Sequence, residues 1–475
     1  MRVFYAKIIK MIYKIADFFS KESSLNKILW LGIMLRVLVF IVMNPQGPDA
    51  HYEVLDFILE NRRLPRTNEL FLACHPPLYY LTSLPFYIIG GLKLVEFFGL
   101  ITSCLNLWLM SKLVKMTIKD VEIRNLSFLL ATFLGTYLIY SLFVSNDTLS
   151  VLMGTWFFYN LIKYLREQTL KNVVVLSLSA GLALLTKSTF IPFIPVVLVI
   201  IFLVNFRKPF WKMTSTMILC GAIIGFSGTY KFVENYRWQK HKIFVHNLDI
   251  FPLASNAVFY QGPQSYYNIN IFTLIKDPNL SSHNPSIHSA PLLMYGTFWY
   301  KHQYFENNLT FGNYSAFRYV GSVFYILGIL PTILIFSGLA LLFRQGFMLL
   351  FFTWRQQYGT IIFWEKIFRA TCLVLLLGSV ATMFTGLIKY NDWAFMHTRL
   401  LAHVFYPIVL LLATGLSFIK SHKPELLKYL ALNLTLFAGL SILYFSVESV
   451  VIAWNWLYYG DKNQIQWYVD KSLGL

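Results

Sequence analysis

The sequence predicts an all-α membrane protein with about 11 transmembrane helices, interfacial helices on the outer face in its first outer loop, and a large second outer loop. Only 13% of the 475 residues are charged, roughly half the share found in soluble proteins. Hydrophobic residues make up 57% of the chain, and apolar runs long enough to cross a bilayer recur along nearly all of it. A chain of several soluble domains is therefore excluded.

Apolar runs separated by charged or turn-forming residues mark the candidate spans. The first run follows a basic stretch and lacks a small-residue cleavage site, so we interpret it as a retained anchor. No repeat with a period of 20–50 residues occurs, so a single helical bundle is expected. The spans cover roughly 28–44, 97–111, 126–143, 148–162, 172–186, 189–204, 213–229, 319–343, 370–388, 400–419 and 429–446.

Positive charges fall mainly on one side of these spans. With the N-terminus in the cytoplasm, 23 of the 40 Lys and Arg residues lie in short inner connections and 16 in longer outer loops, while Arg36 lies inside the first span. The positive-inside rule fixes this orientation and explains the net charge of +18 without a nucleic-acid partner. The predicted parts are a cytoplasmic N-terminus (1–27), a transmembrane domain (28–446) with outer loops 45–96 and 230–318, and an outer C-terminal tail (447–475).

This orientation requires that the apolar stretch 76–91 does not cross the membrane. Pro76 and Pro77 begin it, Pro85 interrupts it and Gly90-Gly91 end it, so we interpret it as an interfacial or re-entrant helix on the outer surface. The alternative, a true span, would invert everything after it and place the Lys-rich segment 112–124 outside. The charge distribution argues against that alternative.

Sequence signatures of soluble enzymes are missing. The chain has no phosphate-binding loop, no dinucleotide-binding glycine pattern, no zinc-protease motif and no serine-hydrolase elbow. Cys104, Cys220 and Cys372 lie in apolar segments and Cys74 in a polar loop, so no disulfide pattern is readable. Any chemistry must therefore come from polar residues near the ends of the spans.

The first outer loop offers a candidate general base. Asp49 stands at a turn directly after the first span and is followed by His51 and Glu53. A carboxylate positioned near a membrane surface has a raised proton affinity and can accept a proton from a hydroxyl group. The competing interpretation makes Asp49 a helix cap, with Glu53 on a solvated helix face. For His51, a structural hydrogen-bonding role is the more common one for an isolated histidine.

Two further outer segments carry polar residues in well-defined positions. His75 precedes Pro76-Pro77, which fix the backbone and start a helix at the interface. The alternative for this segment is a loop-to-helix junction within an aromatic belt. Asp147 lies in the hairpin Ser145-Asn146-Asp147-Thr-Leu, where it could cap the following helix and also orient a substrate.

Cations at the outer ends of spans form the last group. Lys187 divides a nearly continuous apolar run, and Arg399 begins another. A charge at such a depth is costly, so a partner is expected, and a lipid-linked phosphate is one candidate. The alternative for both residues is extension of the side chain towards lipid headgroups. Arg36, inside the first span, is expected to be paired within the bundle.

Taken in order, these motifs resemble the GT-C glycosyltransferases, which include protein O-mannosyltransferases and lipid A aminoarabinose transferases. These polytopic enzymes use polyprenyl-phosphate-linked sugars on the outer or lumenal face. The resemblance covers roughly residues 28–420 in order and sidedness. It rests on the early outer-loop Asp49, His75-Pro-Pro-Leu-Tyr-Tyr, Asn146-Asp147-Thr-Leu, Gly-Leu-Ala-Leu-Leu-Thr-Lys187 and the late Arg399-Leu-Leu.

The resemblance implies roles for individual residues. Asp49 falls at the family's first-loop acidic position, the proposed base for the acceptor hydroxyl, and His75 falls beside the donor. Asp147 matches a second acidic position, while Lys187 and Arg399 match cations suited to the donor phosphate. The family's acidic pair is here Asp49-Ala50, so His51 or Glu53 is expected to assist the base.

The implied activity is an inverting transfer of sugar from a polyprenyl-phosphate-linked donor to an acceptor hydroxyl or similar group. Such a donor is already activated, so no nucleotide site, cofactor or metal is expected, although a divalent cation remains an alternative. We expect a location in the bacterial inner membrane, with the endoplasmic reticulum membrane as the alternative. A lipid-linked saccharide flippase or solute transporter is the competing function, although no internal repeat supports it. A non-catalytic scaffold is a third class.

Overall fold

The computed structural model describes residues 2–42, 50–140, 143–251, 262–276, 278, 289–300, 318–348 and 359–459. Within these ranges the chain is almost entirely helical and forms no β-strand, which confirms the predicted all-α class. Short 3₁₀ turns connect several of the helices, and two of them, Ser188–Phe190 and Thr398–Val404, matter for the site.

The helices are numbered here in chain order. The first nine are α1 (Arg2–Phe19), α2 (Ser23–Val42), α3 (His51–Asn61), α4 (Leu78–Thr117), α5 (Val121–Phe133), α6 (Gly135–Tyr140), α7 (Asn146–Arg166), α8 (Leu170–Thr186) and α9 (Phe193–Asn205). The others are α10 (Phe210–Gly228), α11 (Tyr230–Trp238), α12 (Ile271–Lys276), α13 (Ala290–Trp299), α14 (Arg318–Met348), α15 (Ile361–Tyr390), α16 (Phe405–His422) and α17 (Pro424–Tyr459).

Eight helical segments of the described chain are long and apolar enough to cross a membrane, and the protein is a multi-pass membrane protein. A total of eleven spans stays a prediction, because the predicted runs 126–143, 148–162 and 172–186 fall on α5 to α8, which are shorter or less apolar. The spans are Ser23–Val42, Leu78–Thr117, Ser188–Asn205, Phe210–Gly228, Tyr319–Met348, Ile361–Tyr390, Thr398–His422 and Pro424–Val447.

Two of the helices that fail this test, α5 and α6, lie in the middle of the bundle. Every residue of α5 from Ile123 to Phe133 is buried, and so is all of α6. A helix surrounded by other helices contacts protein instead of lipid, so it can carry polar residues such as Asn125 and Thr132. Arg36 is buried there as well, and donates hydrogen bonds to the Ser103 hydroxyl and the Thr132 carbonyl oxygen.

Helix starts follow from side chains that can accept a backbone N–H. The Asp120 carboxylate accepts from Ile123 at the start of α5, and the Thr169 hydroxyl accepts from Asn172 at the start of α8. Helix α4 is broken at Gly90-Gly91, where Gly91 has a φ of 61°, in the left-handed region that favours glycine. The stretch 76–91 is thus a separate helical piece, and its lying flat on the outer surface stays a prediction.

Helices α14 and α16 cross with their backbones almost touching. A Cβ atom added at Gly338 would lie 2.0 Å from the Leu411 carbonyl oxygen, and one added at Gly415 would lie 2.3 Å from the Leu334 carbonyl oxygen. Only glycine therefore fits at the two facing positions. The crossing fixes α16, which follows directly after the turn Thr398–Val404 at the candidate site.

Candidate active site

A buried ion pair joins the start of α7 to the end of α8. Asp147 lies in the first turn of α7, and Lys187 follows the last residue of α8 in an extended conformation. Because α7 and α8 form an antiparallel hairpin, these two termini meet at one end of the bundle, which the predicted orientation makes the outer end. Lys187 Nζ donates to Asp147 Oδ1, and both side chains are at least nine-tenths buried. The predicted partner of Lys187 is thus a carboxylate of the same chain.

Ser145 connects this ion pair to His51. The Ser145 hydroxyl oxygen accepts the Asp147 backbone N–H at 3.2 Å and lies 3.4 Å from both Asp147 Oδ2 and His51 Nε2. On its other side, His51 Nδ1 lies 2.9 Å from the Tyr80 hydroxyl and shares a hydrogen bond with it. The result is a continuous buried polar chain from Tyr80 through His51 and Ser145 to Asp147 and Lys187.

His75 lies at the edge of this chain. Its ring stacks on His51, with ring centroids 5.8 Å apart and an interplanar angle of 29°. His75 follows the turn Phe71–Cys74 in an extended conformation, and Pro76-Pro77 then lead into α4, so its position is set by backbone that has little freedom. The structure therefore gathers four of the predicted site residues: His51, His75, Asp147 and Lys187.

Two buried polar groups beside this cluster have no hydrogen-bond partner among the described residues. They are the hydroxyl of Tyr79, whose ring lies 5.8 Å from that of His51, and the side-chain nitrogen of Asn146, next to Asp147. Buried polar groups usually find a partner, and those that do not are candidates for contact with a ligand. The cluster thus combines a buried cation, a carboxylate and unfilled hydrogen-bonding groups.

One predicted residue lies outside the described part of the chain, and another lies on the surface. Asp49, the proposed base, lies outside the described residues, two positions before His51 in the sequence. The side chain of Glu53 is exposed on the first turn of α3, whereas His51, two residues earlier, is buried in the cluster. Glu53 is therefore on the surface of the first outer loop and not in the buried polar chain.

Arg399 lies in the turn Thr398–Val404, partly exposed and beside Asp392. Burial raises the pKa of the Asp392 carboxyl, while the Ala394 N–H and the Arg399 charge act to lower it. The same turn carries His403, which is buried, with Nε2 3.0 Å from the Ser379 hydroxyl. The His403 ring meets Phe190, three residues after Lys187, edge to face at 5.0 Å.

A pocket borders the cluster on the side of the second outer loop. It is lined by His75, Pro77 and Tyr80 from the first loop and by Tyr230 and Lys231 from α11, among others. Burial lowers the pKa of the Lys231 ammonium, although the adjacent Glu234 carboxylate opposes that shift. Residues of both predicted outer loops thus line one pocket next to His75.

Three residues in or near the buried polar chain had no role predicted from the sequence. Ser145 and Tyr80 belong to sequence motifs in which only the charged or ionisable neighbours, Asp147 and His75, were given a role. Only the fold shows that Ser145 and Tyr80 both contact His51. His403 lies inside the apolar run 400–419, and its sequence neighbours give no sign of a polar environment. Within the described ranges, no three His, Cys, Asp or Glu side chains gather closely enough to hold a metal ion, and metal independence stays a prediction.

Comparison with known proteins gives structural neighbours but no sequence family. No protein-family model and no curated protein matches the chain. It is similar to the oligosaccharyltransferase of Archaeoglobus fulgidus in complex with zinc and sulfate, at 13% identity and a TM-score of 0.47, covering 89% of this chain and 53% of that one. It is also similar to ArnT from Cupriavidus metallidurans bound to undecaprenyl phosphate, at 14% identity and a TM-score of 0.37, covering 89% and 78%.

ArnT from the same organism in the apo state gives a TM-score of 0.34 at 14% identity, covering 86% of this chain and 75% of that one. The chain spans about half the length of the archaeal oligosaccharyltransferase. Since all three TM-scores lie below 0.5, the functional proposal below rests on the geometry of the site.

Proposed function

We propose that this protein is a membrane glycosyltransferase that moves a sugar from a polyprenyl-phosphate-linked donor to an acceptor hydroxyl or similar group at the outer face. The observation that supports this most directly is the buried Lys187–Asp147 pair next to His51 and Ser145. The Lys187 ammonium can contact a second anion that enters this dry site, with Asp147 offsetting part of its charge. The phosphate of a lipid-linked sugar is such an anion, and it develops further negative charge when it leaves.

Lys187 has the capacity to bind this phosphate without losing Asp147. An ammonium group carries three N–H donors, and among the described residues Lys187 uses its side chain for a single hydrogen bond, to Asp147. A second donor is thus free to meet a phosphate oxygen while Asp147 holds the group in place. We assign the other contact of the phosphate to Arg399, and contacts with the sugar to His51 and His75.

The reaction we propose is a single in-line displacement. Asp49 accepts the proton of the acceptor hydroxyl, whose oxygen attacks the anomeric carbon of the sugar. The bond between that carbon and the phosphate oxygen breaks, and its electron pair stays on the phosphate, where Lys187 and Arg399 stabilise the charge. Attack opposite the leaving group inverts the configuration at the anomeric carbon. Glu53, exposed nearby, would face the acceptor.

The lipid tail of the donor would lie against the membrane-spanning helices, and the acceptor would approach from the outer loops. We propose the inner membrane of a bacterium as the location. No metal or cofactor is part of this reaction, because the donor bond is already activated.

The test uses purified protein in lipid with a panel of radiolabelled polyprenyl-phosphate sugars. Wild-type protein should release or transfer sugar, and Asp49→Asn should lose that activity, since an amide cannot accept the proton. Glu60→Gln is the matched control, because Glu60 is exposed on the same loop at the end of α3 and has no proposed role. Full activity of Asp49→Asn would refute the assignment of the base.

The same preparation separates the enzyme from its main competitor. If no donor is cleaved but labelled donor moves across the bilayer in a protein-dependent way, the protein is a flippase and the proposed transfer is wrong. Transfer that is lost in Asp49→Asn and also in a stably folded double variant of Lys187 and Asp147 supports the whole arrangement.

A further inference from the structure

Helix α11 has its polar and apolar faces reversed with respect to an ordinary surface helix. Its inward side chains are charged or polar: Lys231, Glu234 and Asn235 are 4%, 9% and 3% exposed. Its outward side chains, apart from Arg237 near its end, are apolar or aromatic: Tyr230 and Val233 are 47% and 45% exposed. Tyr236 continues this outward face at 49%, so residues at i, i+3 and i+6 form one exposed apolar strip.

The inward face is held by specific contacts that fix the rotation of the helix. The Thr67 backbone N–H donates to Glu234 at 3.3 Å, and the Thr67 hydroxyl donates to the Asn235 side-chain oxygen at 2.6 Å and lies 3.2 Å from the Glu234 carboxylate. Lys231 forms a buried ion pair with Glu234. Turning the apolar strip inwards would break the three contacts with Thr67 and would move the Lys231–Glu234 pair out of its buried position, so the strip stays outward.

The sequence after the strip is strongly basic. Arg237, Lys240, His241 and Lys242 follow one another within six residues and are all exposed. Trp238, which lies among them, is 52% exposed and is covered on one side by the Arg66 guanidinium at 3.8 Å from its ring centroid. Aromatic rings beside cations are typical of the headgroup layer of a membrane, where rings sit at the boundary and cations meet phosphates.

The position of α11 in the chain also places it in the headgroup layer of the membrane. The candidate span Phe210–Gly228 ends two residues before Tyr230, so α11 begins where that span leaves the hydrocarbon region. The span itself exposes large apolar side chains, with Phe226 at 96% and Ile218 at 66%. The apolar strip of α11 thus continues from a lipid-facing surface.

We propose that α11 lies in the headgroup layer of the bilayer, with Tyr230, Val233 and Tyr236 towards the acyl chains and the basic segment 237–242 among lipid phosphates. The occupant of this face is lipid, not a protein partner. Because Thr67 is bonded to the buried side of α11, this contact sets the height of the first outer loop above the membrane. The pocket between His75 and Lys231 then opens at the lipid boundary.

The test measures the surroundings of a nitroxide spin label in the full-length protein in lipid vesicles. Labels are attached at Val233→Cys and, separately, at Tyr236→Cys, with Cys104→Ser in the background because the other native cysteines are buried. The accessibility of each label to oxygen and to a water-soluble nickel complex is recorded. Ile218→Cys serves as the lipid-facing control and Glu60→Cys as the water-facing control.

Lipid contact predicts that both labels are accessible to oxygen and protected from nickel, as at Ile218. Nickel accessibility equal to that at Glu60 would show that the strip faces water and would overturn the assignment. Low accessibility to both reagents would show that protein covers the strip and would overturn it as well. Two label positions guard against a local effect of either substitution.

Discussion

Removing one charge from the Lys187–Asp147 pair should cost far more stability than removing both. The two side chains are 8% and 2% exposed, so neither charge can regain much hydration if its partner is lost. Two unit charges about 4 Å apart attract each other by about 4 kcal/mol at an effective dielectric constant near 20. Breaking a buried pair by deleting one partner accordingly costs about 3–5 kcal/mol, because it leaves an uncompensated buried charge.

The double-mutant cycle Lys187→Met, Asp147→Asn and the combined variant measures this directly. Each single variant should lose about 3–5 kcal/mol of unfolding free energy, while the double variant, which buries no charge, should lose less than either single one. Reversible unfolding in mixed detergent micelles provides the free energies. Lys171→Met is the control, because Lys171 is an exposed lysine at the start of the same helix, α8.

The cycle also distinguishes a structural role from a catalytic one. A double variant that folds stably yet transfers no sugar places Lys187 or Asp147 in the reaction, whereas restored transfer would mean that the pair only supports the fold. Strictly additive free energies, with the double variant losing the sum of the two single losses, would refute the claim that the two groups are coupled.

Two further outcomes follow from the fold. Gly415→Ala should lower the free energy of unfolding by about 1–3 kcal/mol, because the added Cβ would press on the Leu334 carbonyl oxygen. The control Gly439→Ala, whose added Cβ has no atom within 4 Å, should leave that free energy unchanged or raise it. Thermal unfolding of both variants measures the difference. Burial lowers the pKa of His246 to about 4, so its contribution to stability is complete above about pH 6.5 and is lost as the pH falls towards 4. His246→Gln should flatten the pH dependence of the unfolding temperature in that window. Equal profiles for wild type and His246→Gln would contradict the assignment of this pKa to His246.

Much of the architecture could be read from the sequence because it follows from composition. Apolar runs and the placement of Lys and Arg predict a multi-pass helical bundle, and Gly90-Gly91 predicts the break that α4 has at that point. The number of spans was harder to predict, because α5, α6 and α7 are shielded by other helices. A helix that contacts other helices instead of lipid does not need apolar side chains all round. Its hydropathy therefore does not show whether it crosses the membrane.

Four members of the buried polar group, His51, His75, Asp147 and Lys187, were singled out from the sequence, but their arrangement was not. The cost of a buried charge showed that Lys187 needs a partner, and Asp147 stood out as an isolated acid, yet their 40-residue separation hides the pairing. The link through Ser145 depends on where α3 meets α7, which no local pattern encodes. His403 reaches the same region only because the turn Thr398–Val404 packs against α7, where Gly154 leaves room for its backbone.

The glycine crossing of α14 and α16 has a consequence for how a lipid substrate can reach the site. The Cβ positions of Gly338 and Gly415 lie only 2.0 and 2.3 Å from carbonyl oxygens of the facing helix. At this crossing, no space remains between α14 and α16 for an acyl or isoprenoid chain. The contact between α14 and α16 is therefore closed to a lipid chain at the two glycines. The lipid chain of the proposed donor would therefore have to enter through another gap between helices, so this crossing excludes one route to the site.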